Sequence, residues 1–258
     1  MIAAPRRTPS FTLLGLLGII VAAWIVSIWA ELTGAAAGFH HHSLYHEVAN
    51  GGLPPLAAVL RLAASWQVMT AAMMLPSSLP MVRLYAMTAR RAPSFGLSLA
   101  LFLGAYFAVW TAFAMSALVG DMGLHWLVHS WLWLEQHAYL IPVATLGLAA
   151  GWQLTPLKDA CLRECRHPGV FLQRWYSRGP RGGLLLGLRH GAFCLGCCWA
   201  LMLVMFAAGV AHLAWMGVLG IVMFAEKVLP GGSRLTVPIG IALASLAVLA
   251  LVTPIPGL

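Results

Sequence analysis

"LLLGLRHGAFCLGCCWALMLVMFAAG", residues 184–209, decides how the rest of the chain is read. It is long and apolar enough for a helix crossing the hydrocarbon core of a bilayer, which takes about 20 residues. Yet its middle, "HGAFCLGCCWALM" at 190–202, holds His190, Cys194, Cys197, Cys198 and Met202. A membrane helix carrying soft metal ligands sets both the fold question and the functional one.

The composition extends the membrane reading to the whole chain. Of 258 residues, 61% are hydrophobic and 9% charged, against roughly 25% charged in soluble domains. Apolar stretches of spanning length fall at 11–30, 56–81, 95–119, 138–155, 184–209, 211–229 and 236–253. The expected fold is an all-α polytopic membrane helix bundle, a single domain over 1–258 with about seven transmembrane helices, or six if the last pair of stretches is misread or the first is cleaved. Arg6-Arg7 and Ala35-Ala36-Ala37 have the look of a signal peptide and its cleavage site. However, the apolar core between them exceeds the usual 7–15 residues, so it is read as a retained span.

The net charge of +8 excludes little until its distribution is seen. No basic face of a soluble fold appears, which sets nucleic acid aside as a partner. Arg6, Arg7, Arg83, Arg90, Arg91, the basic segment 156–183 and Arg234 all fall on one side of the bilayer. The segments 31–55 and 120–137 hold acidic residues between their flanking spans and no Lys or Arg. Basic loops stay inside, so the N-terminus is expected in the cytoplasm of a bacterium, the chain in the inner (plasma) membrane, and 31–55 and 120–137 in the periplasm. Residues 122–137 read as an interfacial helix with a tryptophan belt. Residues 158–166 read as a short helix stopped by Pro168-Gly169 and followed by a basic amphipathic stretch.

At 100° per residue, His190 lies at about −40° from Cys194, Cys197 at about −60°, Cys198 at about +40° and Met202 near +80°. Ala192, Gly196 and Ala200 fall opposite, as a stripe that admits another helix. One cysteine in such a helix is a small apolar residue. Three within five positions, one turn from a histidine, are candidate ligands. Thiolates and thioethers select Cu(I), and Zn(II) stays compatible with Cys and His.

Span two, "SWQVMTAAMMLPSSLPM", places Met69 and Met73 one turn apart and should kink at Pro76, which cannot donate to Ala72. Ser77 and Ser78 are placed to satisfy the freed carbonyls. Cys161 and Cys165 share a face of the 158–166 helix as a candidate transfer or redox pair. Outside, Asp121, His125 and His129 recur every four residues, and His40-His41-His42 with His46 and Glu47 forms a second polar set. Each set reads first as a solvated face and second as a metal-ligand set. Among charges near spans, Arg61 and Lys227 are read as snorkelling, and Glu226 as a partner of Arg189.

"MMLPSSLPM" at 73–81, "QLTPLKDACLRECRHP" at 153–168, "HGAFCLGCCWALM" and "EK" at 226–227 resemble the bacterial family described as predicted metal-binding integral membrane proteins. The resemblance covers about 65–230. It marks Met73, Met74, Pro76, Pro80, Lys158, Cys161, Cys165, His190, Cys194, Cys197, Cys198, Trp199, Met202, Glu226 and Lys227. The chain departs from the pattern at Ala211-His212, where family members tend to carry Met-Asn. The resemblance implies metal binding without a defined activity.

Together these features lead to an integral membrane protein that binds a soft metal ion, foremost Cu(I), between spans two and five. The expected ligand set is Cys194, Cys197, Cys198, His190, Met202, Met69, Met73, Cys161 and Cys165. Metal transfer, uptake or metalloenzyme assembly would be its role, with a metallochaperone or metalloenzyme as partner. A binding protein is favoured over an enzyme. The alternatives are a membrane thiol–disulfide oxidoreductase, which needs an accessible cysteine pair on the oxidising side, and a subunit whose sulfurs only pack.

The sidedness is directly testable. Reporter fusions ending after Gly51 and Gly123 should read periplasmic, and those ending after Pro93 and Gly182 cytoplasmic. A cytoplasmic signal at Gly123 would reverse the assignment.

Overall fold

The computed structural model describes residues 10–35, 47–48, 50–92, 94–208 and 212–253, and every regular element among them is helical. In chain order they are α1 (Ser10–Leu32), α2 (Pro55–Met73), α3 (Leu75–Ala89), α4 (Phe95–Ser130), α5 (Leu132–Gln136), α6 (Leu140–Gln153), α7 (Pro156–Arg166), α8 (Pro168–Trp175), α9 (Pro180–Ala208), α10 (Leu213–Val228), a 3-10 turn (Gly232–Leu235) and α11 (Thr236–Ala250). The outward faces of α1, α10 and α11 are as apolar as their inward ones: Ile19, Ile25, Val218, Ile221, Ile241 and Val248 are exposed. An apolar exterior of this extent is what lipid requires and water penalises.

Among the described residues, five helices are long and apolar enough to cross a membrane, and six if the bent pair α6–α7 is one span. The seven expected from composition are not reached, for a local reason in each case. The 138–155 stretch yields only Leu140–Gln153, about 21 Å of helix. There Thr155 accepts a hydrogen bond from the Lys158 amide and Pro156 starts a new helix at 66° to the first, the usual N-cap arrangement. The 211–229 stretch yields Leu213–Val228, about 24 Å. Leu229 turns extended at its C-cap, as a residue before proline tends to.

The segment 156–183 is likewise two helices rather than one helix and a surface stretch. Pro168 ends α7 and then serves as the first residue of α8. The interfacial helix expected at 122–137 is for the most part a continuation of α4, which runs through Gly120 and Gly123 unbroken to Ser130. An added β-carbon at either glycine would meet nothing within 4 Å.

The break in span two falls at Met74, two residues before Pro76. Proline at position 76 denies Ala72 its usual partner, and the indole of Trp24 in α1 donates to that carbonyl at 3.1 Å. Ser77 donates to the Met74 carbonyl at 2.9 Å, and Ser78 to the Tyr106 hydroxyl at 3.0 Å. The exposed carbonyls are therefore satisfied within protein, the condition for irregular backbone at membrane depth.

The most extensive packing is α9 on α4. Added β-carbons would meet the Ser98 carbonyl at Gly183, the Phe102 carbonyl at Gly187 and Val109 at 3.0 Å at Gly191. These three glycines, one turn apart, make the close approach, rather than the expected Ala192, Gly196 and Ala200. Of those, Ala192 is exposed, Gly196 lies against Cys161 of α7, and only Ala200 is buried.

Gly187→Val should destabilise the protein by about 2 kcal/mol, since overpacking costs on the order of 1–3 kcal/mol. Gly151→Ala, which meets nothing within 4 Å, should cost nothing. Thermal unfolding of both variants in detergent checks the pair, and an unaffected Gly187→Val midpoint would contradict the contact.

Candidate metal centre

Three helices end close together beside the middle of α9. Met74 follows the end of α2, Gln153 ends α6, and Glu226 and Lys227 lie in the last turn of α10. Contacts between them fix the convergence: Met73 lies against Gly220, Gln153 Nε2 donates to Glu226 Oε1 at 2.9 Å, and the Trp152 indole donates to the Gly196 carbonyl at 3.1 Å.

At this convergence the thiols of Cys194, Cys197 and Cys198 are buried. The Cys197 and Cys198 thiols both donate to the Cys194 carbonyl, at 3.0 and 2.8 Å, a back-bonding pattern open to short polar side chains in helices. Cys198 Sγ lies 3.7 Å from Met74 Sδ, and Cys165 of α7 brings its Sγ to 4.0 Å from Cys197 Sγ. Sulfur therefore arrives from α7, α9 and the α2–α3 break. The Tyr106 hydroxyl of α4 is 3.3 Å from Cys194 Sγ.

One cation enters this group. Lys227 Nζ donates to Cys194 Sγ at 3.1 Å and lies 3.6 Å from Cys198 Sγ, 3.5 Å from Ser77 Oγ and 3.9 Å from Met74 Sδ. Expected to snorkel, it instead points inward and is buried. A neighbouring ammonium favours negative charge on sulfur, the form in which cysteine binds metals.

Glu226 does not pair with Arg189. Its carboxylate takes Lys158 Nζ at 2.7 Å, both side chains essentially without exposure. Arg166 donates to the backbone carbonyls of Glu226 and of Leu229, the latter at 2.8 Å. Arg189 instead stacks its guanidinium 4.1 Å over the Trp175 ring, a cation–π contact. Arg61 pairs with Glu47 at 3.3 Å on the surface.

Of the candidate ligands, Cys165, Cys194, Cys197 and Cys198 are brought together, with Cys161 on the adjoining face at Gly196. His190 sits one turn away, buried between Tyr106, Phe102 and Phe171 with ring centroids 5.6–6.0 Å apart, and its Nε2 has no hydrogen-bond partner. Met69 and Met202 are buried in the surrounding core, and Met73 faces α10. The sulfur nearest the thiols belongs to Met74, which helical spacing alone did not select. Lys227 and Met74 were visible only through the family pattern. Nothing in the sequence pointed to Tyr106.

Among the described residues no three His, Cys, Asp or Glu side chains already surround a common point. The cluster has the donors of a soft-ion site, with its thiols hydrogen-bonded to backbone and to one another. On the opposite end of α4, the His125 and His129 rings are 4.7 Å apart and His129 Nδ1 is 3.6 Å from Glu135 Oε1. The His40–His42 run and His46 lie outside the described residues. All five cysteines are free thiols.

Residues 63–250, which include the whole cluster, match the model of a protein family described as PpoB2, copper chaperone. No curated protein matches the chain, and no solved structure does.

The buried Lys158–Glu226 pair has a testable energy. Glu226→Leu alone strands an ammonium and should cost about 3–5 kcal/mol, whereas Lys158→Met with Glu226→Leu should recover most of that loss. Denaturant unfolding followed by tryptophan fluorescence measures both. Additive losses in the double variant would show that the two groups act independently.

Proposed function

The chain belongs to the PpoB2 copper chaperone family, and on that premise we propose that it carries Cu(I) as cargo on the sulfur cluster around Cys194 and passes it to an acceptor protein. The observation that carries this reading is the convergence of Cys165, Cys194, Cys197, Cys198 and Met74 beside the Lys227 ammonium. Soft thiolate and thioether donors select Cu(I) over harder ions. A Cu(I) ion held by two thiolates carries a net negative charge, and an isolated charge in an apolar bundle is costly. Lys227 supplies the matching positive charge from inside the bundle.

The arrangement also suits release. Met74, Cys194 and Cys198 are buried, while Cys161 and Cys165 ride on the short, amphipathic α7. Cu(I) moves between such sites by ligand exchange, in which an incoming thiolate or thioether replaces a departing one, so no redox step is needed. Cys165, in contact with Cys197, is the natural first acceptor, and Cys161 the next. We place the chain in a bacterial inner membrane with the N-terminus and α7 on the cytoplasmic side, on the strength of the one-sided Lys and Arg distribution. The acceptor is a metallochaperone or a metalloenzyme awaiting copper.

Purified protein loaded with Cu(I) under reducing conditions should retain close to one ion per chain through a competing chelator. The Cys194→Ser/Cys197→Ser/Cys198→Ser variant should retain none while eluting as a folded species. Met74→Leu and Cys165→Ser should each weaken retention about ten-fold, the scale on which single changes around a metal site act. Equal retention by wild type and triple variant would remove the site. Recovery of a substantial Cys165–Cys197 disulfide from rapidly quenched cells would replace this reading with the oxidoreductase one.

A further inference from the structure

Outside the sulfur cluster, one group of side chains has the donors and spacing of a different kind of metal site. His125 and His129 are one helical turn apart near the end of α4, their rings 4.7 Å apart and nearly perpendicular. Two histidines at this spacing on one helix face form the bidentate half of many zinc sites, and a carboxylate from elsewhere completes a His₂Glu set with an open position. Here the carboxylate is present: Glu135 Oε1 lies 3.6 Å from His129 Nδ1.

The chain delivers Glu135 by a defined turn. The helix stops at Trp131, whose amide reaches the Val128 carbonyl at 3.3 Å. α5 then begins at once, with the amides of Leu134 and Glu135 bonded to the Trp131 carbonyl at 2.9 and 3.1 Å. The Trp131 and Trp133 rings pack 5.5 Å apart at the same turn. Backbone and aromatic contacts thus hold Glu135 beside the histidine pair. His129 and Glu135 are 60% and 50% exposed, so packing does not prevent them from turning toward a common ion.

Location separates this group from the sulfur cluster. α4 is about 54 Å long, well beyond a hydrocarbon core of roughly 30 Å. His125 lies nineteen positions beyond Tyr106, which touches Cys194, or roughly 28 Å along the same helix. α4 therefore carries the two imidazoles near one end, with Glu135 supplied from α5, and contacts the sulfur cluster about a membrane thickness away.

We propose that His125, His129 and Glu135 form a second metal site, for a divalent transition-metal ion of borderline softness such as Cu(II) or Zn(II). Imidazole and carboxylate suit such ions, as thiolate and thioether suit Cu(I). The two ends of the molecule then take metal in different chemical states, and the exposed site is the one open to metal arriving from solution.

The test uses the full chain in detergent with Cu(II) as the probe, in the Cys194→Ser/Cys197→Ser/Cys198→Ser background so that those thiols do not reduce it. Electron paramagnetic resonance should show one Cu(II) per chain with hyperfine coupling to imidazole nitrogen. His125→Gln/His129→Gln should abolish that spectrum and weaken Cu(II) affinity at least ten-fold. Glu135→Gln should weaken it several-fold with nitrogen coupling kept. With native cysteines, wild type should bind one Zn(II) equivalent more than His125→Gln/His129→Gln, whose Cu(I) retention should match wild type. Failure here is therefore distinguishable from failure of the sulfur site. An unchanged Cu(II) spectrum and affinity in His125→Gln/His129→Gln would overturn the proposal. So would a spectrum lost only when His40–His42 are replaced.

Discussion

A carboxylate with no exposure to water must be neutralised where it stands, and Glu226 meets that demand in a way that organises the basic end of the bundle. Its oxygens take Lys158 from α7 and Gln153 from α6, and its own helix end is capped by Arg166. Three helices that composition alone leaves unrelated are thereby tied at one point. An ion pair buried this deeply is weak evidence for net stability but strong evidence for a required geometry, because breaking either half leaves an uncompensated charge. That geometry sets α7 against α9 and brings Cys165 to Cys197. It also turns the neighbouring residue, Lys227, inward to the thiols rather than outward to the surface.

Helix length is the second constraint. α6 and α10 are too short to cross a bilayer by themselves, and α2 stops at Met73. Their ends leave room beside the long α9 that a bundle of full-length helices would fill. The sulfur cluster occupies this room, walled by α4 through the Gly183–Gly187–Gly191 contact and covered by α7. Each interruption is made at a residue visible in the sequence: Pro76, Pro156 and Pro230. At the Met74 break the Ala72 carbonyl accepts from the Trp24 indole and the Met74 carbonyl from the Ser77 hydroxyl. The sulfur cluster thus rests on broken helices, whose ends point functional groups inward at depth, in keeping with the rule that irregular backbone is tolerated there only when protein satisfies it.

Much of the architecture was legible in advance because its causes are local. The all-helical class and the positions of the apolar stretches follow from a composition that cannot be hidden from lipid. The grouping of Cys194, Cys197 and Cys198 on one face follows from the helical repeat alone. The break near Pro76 follows from a missing amide hydrogen. Where the expectation failed, hydropathy had passed over stop signals such as Thr155-Pro156 and Leu229-Pro230, or could not register how far a helix continues. Helix termini at Gln153 and Val228 shortened two stretches that hydropathy counted as spans, and the aromatic segment 122–137 mostly continued α4 instead of lying along the interface.

By itself, then, the sequence determined which residues are soft donors, which stretches are apolar enough to leave water, and where proline interrupts them. Those are properties of single residues and of their spacing along one helix. Tertiary structure alone decided which of them meet. Met74 rather than Met73 reaches Cys198 because Met73 is turned toward Gly220 of α10. Lys158 rather than Arg189 neutralises Glu226 because α7 folds back at Thr155-Pro156, while Arg189 is held over Trp175. Pairings between elements far apart in the chain depend on crossing angles and helix ends, and those are settled by packing and by the satisfaction of buried charge, which no periodicity along one segment records.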